Sequence, residues 1–433
     1  MKPAARIKAA TDVLEQILVH HQPAATALSD WGKAHRFAGS GDRSAIGNYV
    51  YDALRSRALS AFHMRGETPR SLVLGALVSV RGLGGPAIAA LFDGSPHGLP
   101  PLSADEMTRV SNGPHAGAAD WQQANIPQWL APQLSRVFGD RLVAEGQAMA
   151  KRAPVDLRVN MLRATRAQVL EDLAQYGAIA APLSPTAIRI AAPVGDGRTP
   201  NVEAEAAHGR GWFEVQDEGS QIAAAMTGVK PGDAVLDLCA GAGGKTLALA
   251  ARMDQKGTIH AYDSDKSRLR PIFERITRAG ITNAVVLTAG DTGALDALKA
   301  RFDVVLVDAP CSGSGTWRRK PDAKWRLKPE VLAARIKDQQ AVLATAGRAV
   351  KPGGRLVYVT CSLLADENTD QIGQFLKNNR HFSIRPWRQV WGEVMETPAP
   401  RASADGRDDT LLLSPGMHDT DGFFIAVLTR AAS

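Results

Sequence analysis

The sequence predicts an α/β protein whose main sheet is mostly parallel, and three observations lead to this prediction. From about Trp212 onwards, short apolar strands alternate regularly with helical stretches. A shorter α/β pattern starts at Pro154, and everything before about residue 150 has helical periodicity. Strand–helix alternation is typical of a parallel sheet with helices on both faces. The expected domains are 1–150 (all helical), 151–210 (small α/β module) and 211–433 (main sheet).

Composition and charge narrow the class of protein. The 433 residues carry 51 Lys+Arg against 44 Asp+Glu, a net charge of +7, with 45% hydrophobic residues. Three cysteines without a Cys-x-x-Cys pair argue against a disulfide framework, a structural zinc site and a redox motif. The N-terminus resembles an amphipathic helix rather than a signal peptide, and no apolar run could span a bilayer. We therefore expect a soluble, cytoplasmic monomer without a metal.

The N-terminal 150 residues are predicted to form helices. Apolar residues recur with helical spacing, with Asp42 and Ser44 near the helix start: Ile46, Tyr49, Val50, Ala53 and Leu54. Gly, Pro and Ser cluster in Ser95–Gly117, which predicts a loop between helices.

The small module begins with the alternating stretch Val155–Asn160, which predicts a strand. Thr165 is a good N-cap for a helix over Arg166–Tyr176, and Gly177 is a good residue to follow it. Further strands are expected near Ile179 and over Ile188–Ala191. Turn residues at Gly195–Arg198 and Pro200 mark the boundary to the main sheet.

Five strands are predicted in the main sheet: Ala234–Leu238, Thr258–Tyr262, Ala284–Leu287, Asp303–Val307 and Arg355–Thr360. In such sheets ligands bind beyond the carboxyl ends of the strands. The residues that follow each strand are therefore the first candidates for a site.

A glycine-rich loop, Asp237–Thr246, follows the first of these strands. A phosphate-binding P-loop would need glycine where Cys239 stands. Its final Gly-Lys-Thr is present as Gly244-Lys245-Thr246, and Asp308 could serve as the magnesium-binding aspartate of a Walker B strand. A dinucleotide loop would need glycine at Thr246. S-adenosylmethionine carries no phosphate and needs only close backbone approach and an acid for its ribose. Asp263 lies about 20 residues past the glycines, the spacing of a ribose-binding acid. A glycine-rich turn without a ligand remains the fourth alternative.

Two further loops bring cysteines to the same end of the sheet. Cys311 follows the fourth strand in the run Asp308–Gly315, and Cys361 follows the fifth in Thr360-Cys361-Ser362. A single cysteine after a strand is more often a small buried residue than a nucleophile. Two of them beside a cofactor loop favour a chemical role.

These motifs resemble the Nop/Sun family of RNA cytosine-C5 methyltransferases. The resemblance is carried by Asp308–Gly315, its continuation to Trp325, and Thr360–Ser362, and it extends from about Pro154 to the C-terminus. Supporting matches are Arg158–Asn160, Val215–Asp217, the glycine loop, Glu367-Asn368 and Asp421–Phe424. The resemblance implies a Rossmann-like class I methyltransferase domain that uses S-adenosylmethionine.

The resemblance also implies roles for single residues. Cys361 would attack C6 of the cytosine, Cys311 would help to break down the covalent product complex, and Asp308 would contact the base edge and the cofactor. The methionine end of S-adenosylmethionine would lie along Cys239, Ala240, Gly241, Ala242, Gly243, Gly244 and Lys245. Asp263 would hold the ribose and Asp291 the adenine. The chain departs from the family at Gly241-Ala242, where Ala-Pro is usual, and at Thr369, where Glu is frequent.

The chemistry explains why thiols are needed. C5 of cytosine is too weak a nucleophile to take a methyl group until a thiolate has added at C6. An acid beside the base stabilises the charge that develops on addition. DNA cytosine methyltransferases use a cysteine of the Cys311 type as nucleophile, so the assignment between the two thiols rests on the resemblance alone.

The basic excess is concentrated in one stretch, Trp317–Lys328. It contains six basic residues and one acid, framed by Trp317 and Trp325: Arg318, Arg319, Lys320, Lys324, Arg326 and Lys328 against Asp322. Basic side chains bind phosphates and aromatic rings stack on unpaired bases, so we expect RNA to lie here. Because the stretch directly follows the proposed catalytic loop, this interpretation outweighs that of a solvated basic face.

The first two domains are expected to serve RNA recognition. The module at 154–200 would be the family's RNA-contacting part, with Arg158 and Asn160 in its strand motif. The stretches Gly41–Arg43 and Tyr49–Arg55 resemble a NusB-like helical domain, which favours small-subunit ribosomal RNA over transfer RNA as substrate. Two other classes stay open: a P-loop ATPase acting on RNA, and an RNA-binding assembly factor without enzymatic activity.

Overall fold

The computed structural model describes residues 1–113 and 117–432. The helices are α1 Pro3–Leu18, α2 Ala24–Ala34, α3 Ser40–Arg55, α4 Arg57–Met64, α5 Pro69–Ser79, α6 Gly85–Ala89, α7 Ala104–Ser111, α8 Asp120–Gln123, α9 Ala131–Phe138, α10 Leu142–Ala150, α11 Arg166–Asp172, α12 Ala206–Gly209, α13 Glu218–Ala225, α14 Gly244–Arg252, α15 Lys266–Leu269, α16 Ile272–Ala279, α17 Thr292–Asp296, α18 Pro321–Arg326, α19 Pro329–Ala349, α20 Thr369–Asn378, α21 Trp387–Val394 and α22 Pro415–His418. The strands are β1 Val155–Val159, β2 Ile179–Ala180, β3 Ala187–Ile190, β4 Phe213–Val215, β5 Ala234–Asp237, β6 Thr258–Ala261, β7 Ala284–Val286, β8 Phe302–Asp308, β9 Val350–Thr360, β10 Phe382–Arg385, β11 Leu411–Leu413 and β12 Phe423–Arg430.

The chain divides into two compact units. The first unit comprises Met1–Arg152, Ala192–Thr199 and Trp317–Leu327. The second comprises Ala153–Ala191, Pro200–Thr316 and Lys328–Ser433. Two short stretches that the sequence assigned to the later domains thus fold with the N-terminal helices. None of the helices described in either unit is long and apolar enough to cross a membrane.

The helical unit is built on apolar faces with the predicted spacing. Ile46, Val50 and Leu54 on α3 are each no more than 1% exposed. The helix starts at Ser40, two residues before Asp42, and the Asp42 carboxylate accepts a hydrogen bond from Arg6 Nε at 2.9 Å instead of capping the helix. The predicted periodicity and the helical class of this region are confirmed.

The predicted loop over Ser95–Gly117 is wrong in its centre, where α7 spans Ala104–Ser111. The side chain of Ser103 accepts from the Glu106 amide, and Glu106 accepts from the Ser103 amide, so the two residues form a capping box. This start signal was present in the sequence between the turn residues. Residues 114–116 of the predicted loop lie outside the described residues.

The segment 192–199 joins the helical unit through ion pairs and hydrogen bonds. Arg81 Nη1 pairs with Asp196 at 2.7 Å, and Arg152 Nη1 donates to the Gly195 carbonyl at 2.7 Å. The turn residues at 195–198 therefore mark an excursion of the chain into the helical unit and not the predicted end of the small module, whose last strand follows later in the chain.

The basic stretch 317–327 is also held by the helical unit, mostly through its backbone and its aromatic residues. Trp325 Nε1 donates to the Leu54 carbonyl at 2.6 Å, and Arg55 Nη2 donates to the Arg318 carbonyl at 3.2 Å. The carboxylate of Asp322 accepts from the Ala24 amide at 3.3 Å. Main-chain contacts of this kind depend on the fold and leave no pattern in the sequence.

The basic side chain of Lys324 on α18 is buried, since only 1% of the residue's surface is exposed. Its Nζ lies 3.5 Å from the Arg55 carbonyl oxygen. Burial, and secondarily the charge of Arg55, lower the pKa of Lys324 to about 7. An unfolded lysine has a pKa of about 10.4, so between these values the unfolded state binds more protons and stability rises with pH. The cost of burying this group therefore grows as the pH falls below about 10.4 and is complete below about pH 7, where Lys324 is protonated in the folded state as well.

We expect Lys324→Met to raise the midpoint of thermal unfolding at pH 6 and to raise it much less at pH 10, where the wild-type amine is neutral in the folded state. The midpoint can be followed by circular dichroism at both pH values. Lys320→Met, on an exposed lysine at the start of the same helix, is the matched control and should change neither value. A lower midpoint for Lys324→Met at pH 6 would show that the ammonium group is net stabilising.

The small α/β module forms a four-stranded antiparallel sheet in the order β2-β3-β1-β4. Its last strand, Phe213–Val215, lies beyond the predicted boundary at 210, because Val215 pairs with Leu157 and Phe213 with Val159. The predicted helix over Arg166–Tyr176 ends at Asp172, and a 3-10 turn continues to Tyr176. Its predicted cap is present: Thr165 accepts from the Gln168 amide at 3.3 Å.

The main sheet has eight strands, seven of them in the order β10-β12-β9-β8-β5-β6-β7, with β11 pairing on β12. The strands β7, β6, β5, β8 and β9 are mutually parallel and β12 is antiparallel to β9. The predicted Rossmann-like α/β class is confirmed. The sequence reading missed β10, β11 and β12. The strand order changes direction between β5 and β8, which in open α/β sheets is where ligands bind.

Candidate active site

The glycine loop leads from β5 into α14 and takes its shape from two glycines. Gly241 has φ +50° and Gly243 has φ +83°, both in the left-handed region. A Cβ at Gly243 would collide with the side chain of Ile272. The loop therefore cannot carry a larger residue at 243, and its backbone passes close to α16 before the helix begins at Gly244.

Asp263 follows β6 and is tied to this loop. Its Oδ2 accepts from the Gly241 amide at 3.0 Å and its Oδ1 from the Asp265 amide at 2.9 Å. The side chain is 2% exposed, and each oxygen has one donor although it can accept two. Asp291, by contrast, is exposed after β7.

Lys245 and Asp308 join the glycine loop to the end of β8. Lys245 Nζ lies 2.6 Å from Asp308 Oδ2, and the lysine side chain is 7% exposed against 33% for the aspartate. The pair brings together two residues that the sequence predicted for different parts of the site. The lysine neutralises Asp308 on its buried side and leaves the carboxylate accessible from outside.

Two buried groups below the loop are poorly suited to ionisation. Burial is the main cause that raises the pKa of Asp237 to about 7. Its Oδ2 accepts from Thr246 Oγ1 at 2.7 Å, and its Oδ1 has no hydrogen-bond partner among the residues that the structure describes. Burial, followed by the charges of nearby carboxylates, raises the pKa of the Cys239 thiol. Cys239 is therefore a lining residue of the loop rather than a nucleophile.

Cys311 and Cys361 come together at the carboxyl ends of β8 and β9. Their sulfur atoms are 3.4 Å apart, although the residues are fifty positions apart in sequence. A hydrogen bond with Cys361, burial, and the charges of Cys361 and Glu367 raise the pKa of the Cys311 thiol well above its ordinary value. Cys311 thus holds its proton firmly beside the sulfur of Cys361.

A buried carboxylate, Glu367, holds the two cysteine loops together. Its Oε1 accepts from the Ser312 amide at 2.8 Å and from Gln339 Nε2 at 3.0 Å. Its Oε2 accepts from the hydroxyls of Ser312 and Ser362, both at 2.5 Å. Since Ser312 follows Cys311 and Ser362 follows Cys361, one fully buried side chain fixes the spacing of both sulfur atoms.

Asn368 and the neighbouring backbone complete this support. Asn368 Oδ1 accepts from Thr360 Oγ1 at 2.5 Å, and its Nδ2 donates to the Ser362 carbonyl at 2.8 Å. The Gly315 amide donates to the Cys361 carbonyl at 2.9 Å. A Cβ at Gly315 would collide with the Gly422 backbone, so this loop too depends on glycine. The sequence had placed Glu367-Asn368 only among the supporting motifs.

Comparisons with known proteins show the family to which this chain belongs. Residues 224–429 match the family described as 16S rRNA methyltransferase RsmB/F, and residues 126–195 match the ferredoxin-like domain of RsmF/B-like methyltransferases. The ribosomal RNA small subunit methyltransferase B of Erwinia tasmaniensis is 35% identical over 311 residues, which are 71% of this chain and 67% of that protein. This chain belongs to the RsmB/F methyltransferase family. The probable small subunit methyltransferase B of Synechocystis is 32% identical over 72% of this chain and 68% of its own.

Solved structures show the same fold. The crystal structure of PH0851 covers 99% of both chains with a TM-score of 0.73 at 25% identity. A methyltransferase homologue from Pyrococcus horikoshii covers 72% of this chain and 97% of its own, with a TM-score of 0.58 at 26% identity. The matched region of this RsmB/F chain spans about two thirds of the length of its curated relatives, 67% and 68% in the two named above.

The structure contradicts the RNA-facing role predicted for four residues of this RsmB/F chain: Asn160, Trp317, Arg318 and Lys324, each of them 1% to 3% exposed. Asn160 Nδ2 instead donates to the carbonyls of Gly211 and Ala279, at 2.9 and 3.0 Å. Charge and aromatic content in a sequence do not show which side chains reach the surface.

The other residues predicted to contact RNA in this RsmB/F chain are more exposed or line a cavity. Lys320 and Arg326 are exposed and Arg319 is half-buried, so RNA contact by these three stays a prediction. Arg326 pairs with Asp322 at 2.9 Å. Arg158 is 4% exposed, but it lines a cavity that is described below.

Proposed function

We propose that this chain transfers a methyl group from S-adenosylmethionine to C5 of cytosine in RNA, and that the RNA is small-subunit ribosomal RNA. The observation that carries the reaction type is the pair of thiols, 3.4 Å apart, at the carboxyl ends of β8 and β9 beside the Lys245–Asp308 pair. The relatives named ribosomal RNA small subunit methyltransferase B support the substrate.

The residues around the glycine loop fit S-adenosylmethionine. Gly241 and Gly243 let the backbone approach a ligand closely, and Asp263 keeps free lone pairs for ribose hydroxyls. The bound cofactor would supply an electrophilic methyl group on its sulfonium. A P-loop role is less well supported, because Lys245 is engaged with Asp308 and Cys239 occupies the place of the first glycine.

Cys361 and Cys311 divide the covalent chemistry. The Cys361 thiolate forms a bond to C6, and the electron pair of the C5–C6 double bond becomes available for attack on the methyl group. In the second step the C5 proton leaves and the S–C6 bond breaks, which restores the double bond and the thiolate. We assign proton removal to Cys311. Once Cys361 is bonded to C6, its sulfur no longer supplies the hydrogen bond and the charge that raise the pKa of the Cys311 thiol, so Cys311 can lose its proton to solvent and its thiolate can then accept the C5 proton.

Asp308 recognises the base. A carboxylate accepts hydrogen bonds from the exocyclic amine of cytosine, which distinguishes this base from uracil. One third of the Asp308 side chain is exposed, so a flipped or unpaired cytosine can reach it. Lys245 on its other side holds the carboxylate in place through the contact at 2.6 Å.

The decisive experiment is incubation with S-adenosylmethionine labelled in its methyl group and with separate pools of ribosomal and transfer RNA. We expect label at C5 of cytosine in small-subunit ribosomal RNA, detected by nucleoside mass spectrometry. Label in transfer RNA alone would change the substrate, and no labelled 5-methylcytosine in either pool would refute the reaction.

A binding measurement distinguishes S-adenosylmethionine from ATP as the ligand of the glycine loop. We expect Asp263→Asn to weaken S-adenosylmethionine binding about tenfold or more by isothermal titration calorimetry, because a ribose hydrogen bond to a charged group is worth roughly 1.5–3 kcal/mol. Asp338→Asn, on the exposed face of α19, is the matched control. Tight ATP binding that disappears with Lys245→Ala would instead favour the ATPase.

A further inference from the structure

A cavity outside the candidate active site lies in the unit that carries the main sheet, between β1, the turn before β3, α13 and α14. Its volume is about 300 Å³, and its polar lining comprises Arg158, Ser184, Thr186, Gln221, Arg252 and Glu396. Two of these six side chains are guanidinium groups and one is a carboxylate. None of the residues assigned to the reaction lines it.

Arg158 brings a buried positive charge to this cavity without a carboxylate partner. In the part of the chain that the structure describes, its one hydrogen bond runs from Nε to Gln216 Oε1 at 2.6 Å, which leaves the Nη donors unused. The carboxylate opposite it in the sheet, Glu214, already pairs with Arg275 at 2.8 Å and Arg278 at 2.7 Å. Burial is the main cause that lowers the pKa of Arg158 to about 10, and the charge of Glu214 offsets this effect only in part.

Arg252 adds a second guanidinium that is only partly used. Its Nη2 donates to the Val394 carbonyl at 2.8 Å, while its buried Nε has no acceptor among the described residues. Glu396 is exposed at the rim and makes no ion pair within 4.0 Å with either arginine in the described part of the chain. The cavity therefore has an excess of positive charge and several unused donors.

The geometry points to a phosphate-binding site formed by Arg158 and Arg252. Guanidinium groups bind phosphate oxygens with paired hydrogen bonds, and the hydroxyls of Ser184 and Thr186, which now donate to Gln221, can rotate to donate to an anion. The phosphate belongs either to an RNA strand, an assignment that rests on the proposed function, or to a small phosphate compound, which does not depend on it.

The test uses the full chain with Cys361→Ala, which cannot react, so that binding is measured apart from methyl transfer. One arm follows thermal unfolding with inorganic phosphate against chloride at equal ionic strength. The other measures the affinity for a single-stranded oligoribonucleotide by fluorescence anisotropy at several salt concentrations. Arg252→Gln is the main variant because Arg252 is less buried than Arg158, and Arg335→Gln on α19 is the control of equal charge.

We expect Arg252→Gln to abolish stabilisation by phosphate, whereas Arg335→Gln leaves it intact. If RNA supplies the phosphate, Arg252→Gln also lowers RNA affinity about tenfold and the salt slope by about one. If a small compound supplies it, RNA affinity stays unchanged. Glu396→Gln should strengthen phosphate binding in both cases. The inference is overturned if phosphate stabilises the Cys361→Ala protein no more than chloride and the addition of Arg252→Gln leaves RNA affinity unchanged.

Discussion

Cys311→Ala is expected to accumulate a protein–RNA adduct that survives denaturation, and Cys361→Ala is expected to form none. In the first variant the Cys361 thiolate can still add to C6, but the residue that we assign to removal of the C5 proton is missing, so the S–C6 bond persists. In the second variant the bond cannot form. Methylation should fall by about 10⁴-fold or more in Cys361→Ala, since loss of a covalent nucleophile has effects of this order.

The adduct can be measured as a shifted band on a denaturing gel with end-labelled RNA and S-adenosylmethionine. The double variant Cys311→Ala/Cys361→Ala is the control for covalent attachment elsewhere and should give no band. An adduct in Cys361→Ala but not in Cys311→Ala would exchange the two roles. That outcome matters because the sequence alone left the nucleophile open, and the two sulfur atoms lie only 3.4 Å apart.

The parallel part of the sheet was predictable because each strand is a short apolar run that ends in a distinctive loop. Asp237, Asp263 and Asp308 all follow such runs, and the structure places their strands side by side. The antiparallel strands were harder to predict. β11 has three residues and β10 is half-buried, so neither carries a clear alternation. β12, with six buried residues in a row, was a visible signal that went unused.

The basic stretch shows where sequence reasoning fails for a physical reason. Its charge density was real, but Lys324 is enclosed in the helical unit and Trp325 donates a hydrogen bond to a backbone carbonyl of α3. The sequence shows the charge of a segment, but it does not show which of its side chains are buried against another part of the fold. The assignment of 317–327 to the helical unit depends on contacts more than 250 residues apart in sequence.

Glu367 is the functional residue that the sequence could not single out. A carboxylate seven residues after the end of a strand, in a stretch that also contains Leu and Ala, has no local pattern that predicts complete burial. Only the tertiary structure shows that its four hydrogen bonds come from the residues that follow Cys311 and Cys361 and from α19. Its substitution is therefore the sharper test of how the two thiols are positioned.

We expect Glu367→Ala to lower the free energy of unfolding by about 3–5 kcal/mol, since removing one partner of a buried charged network leaves the other groups without acceptors. Glu367→Gln should lose far less. The amide oxygen can accept from the Ser312 amide and from Gln339, while the hydroxyls of Ser312 and Ser362 can rotate to accept from the amide nitrogen. Chemical denaturation of both variants, with Glu330→Gln on the exposed start of α19 as control, measures this difference.

Glu367→Gln also separates charge from packing. The carboxylate contributes to the raised pKa of Cys311, so its neutral replacement should let Cys311 ionise at lower pH. Alkylation of Cys311 by iodoacetamide, followed by peptide mass spectrometry across pH, should show this shift. We expect kcat to fall while KM for RNA stays near the wild-type value, because a Cys311 that ionises before the cytosine binds no longer donates a hydrogen bond to the attacking Cys361 sulfur. A folded Glu367→Gln with unchanged alkylation and unchanged kcat would mean that Glu367 only fills space. The expected result would show that one buried charge both sets the distance between the sulfur atoms and keeps the proton on Cys311.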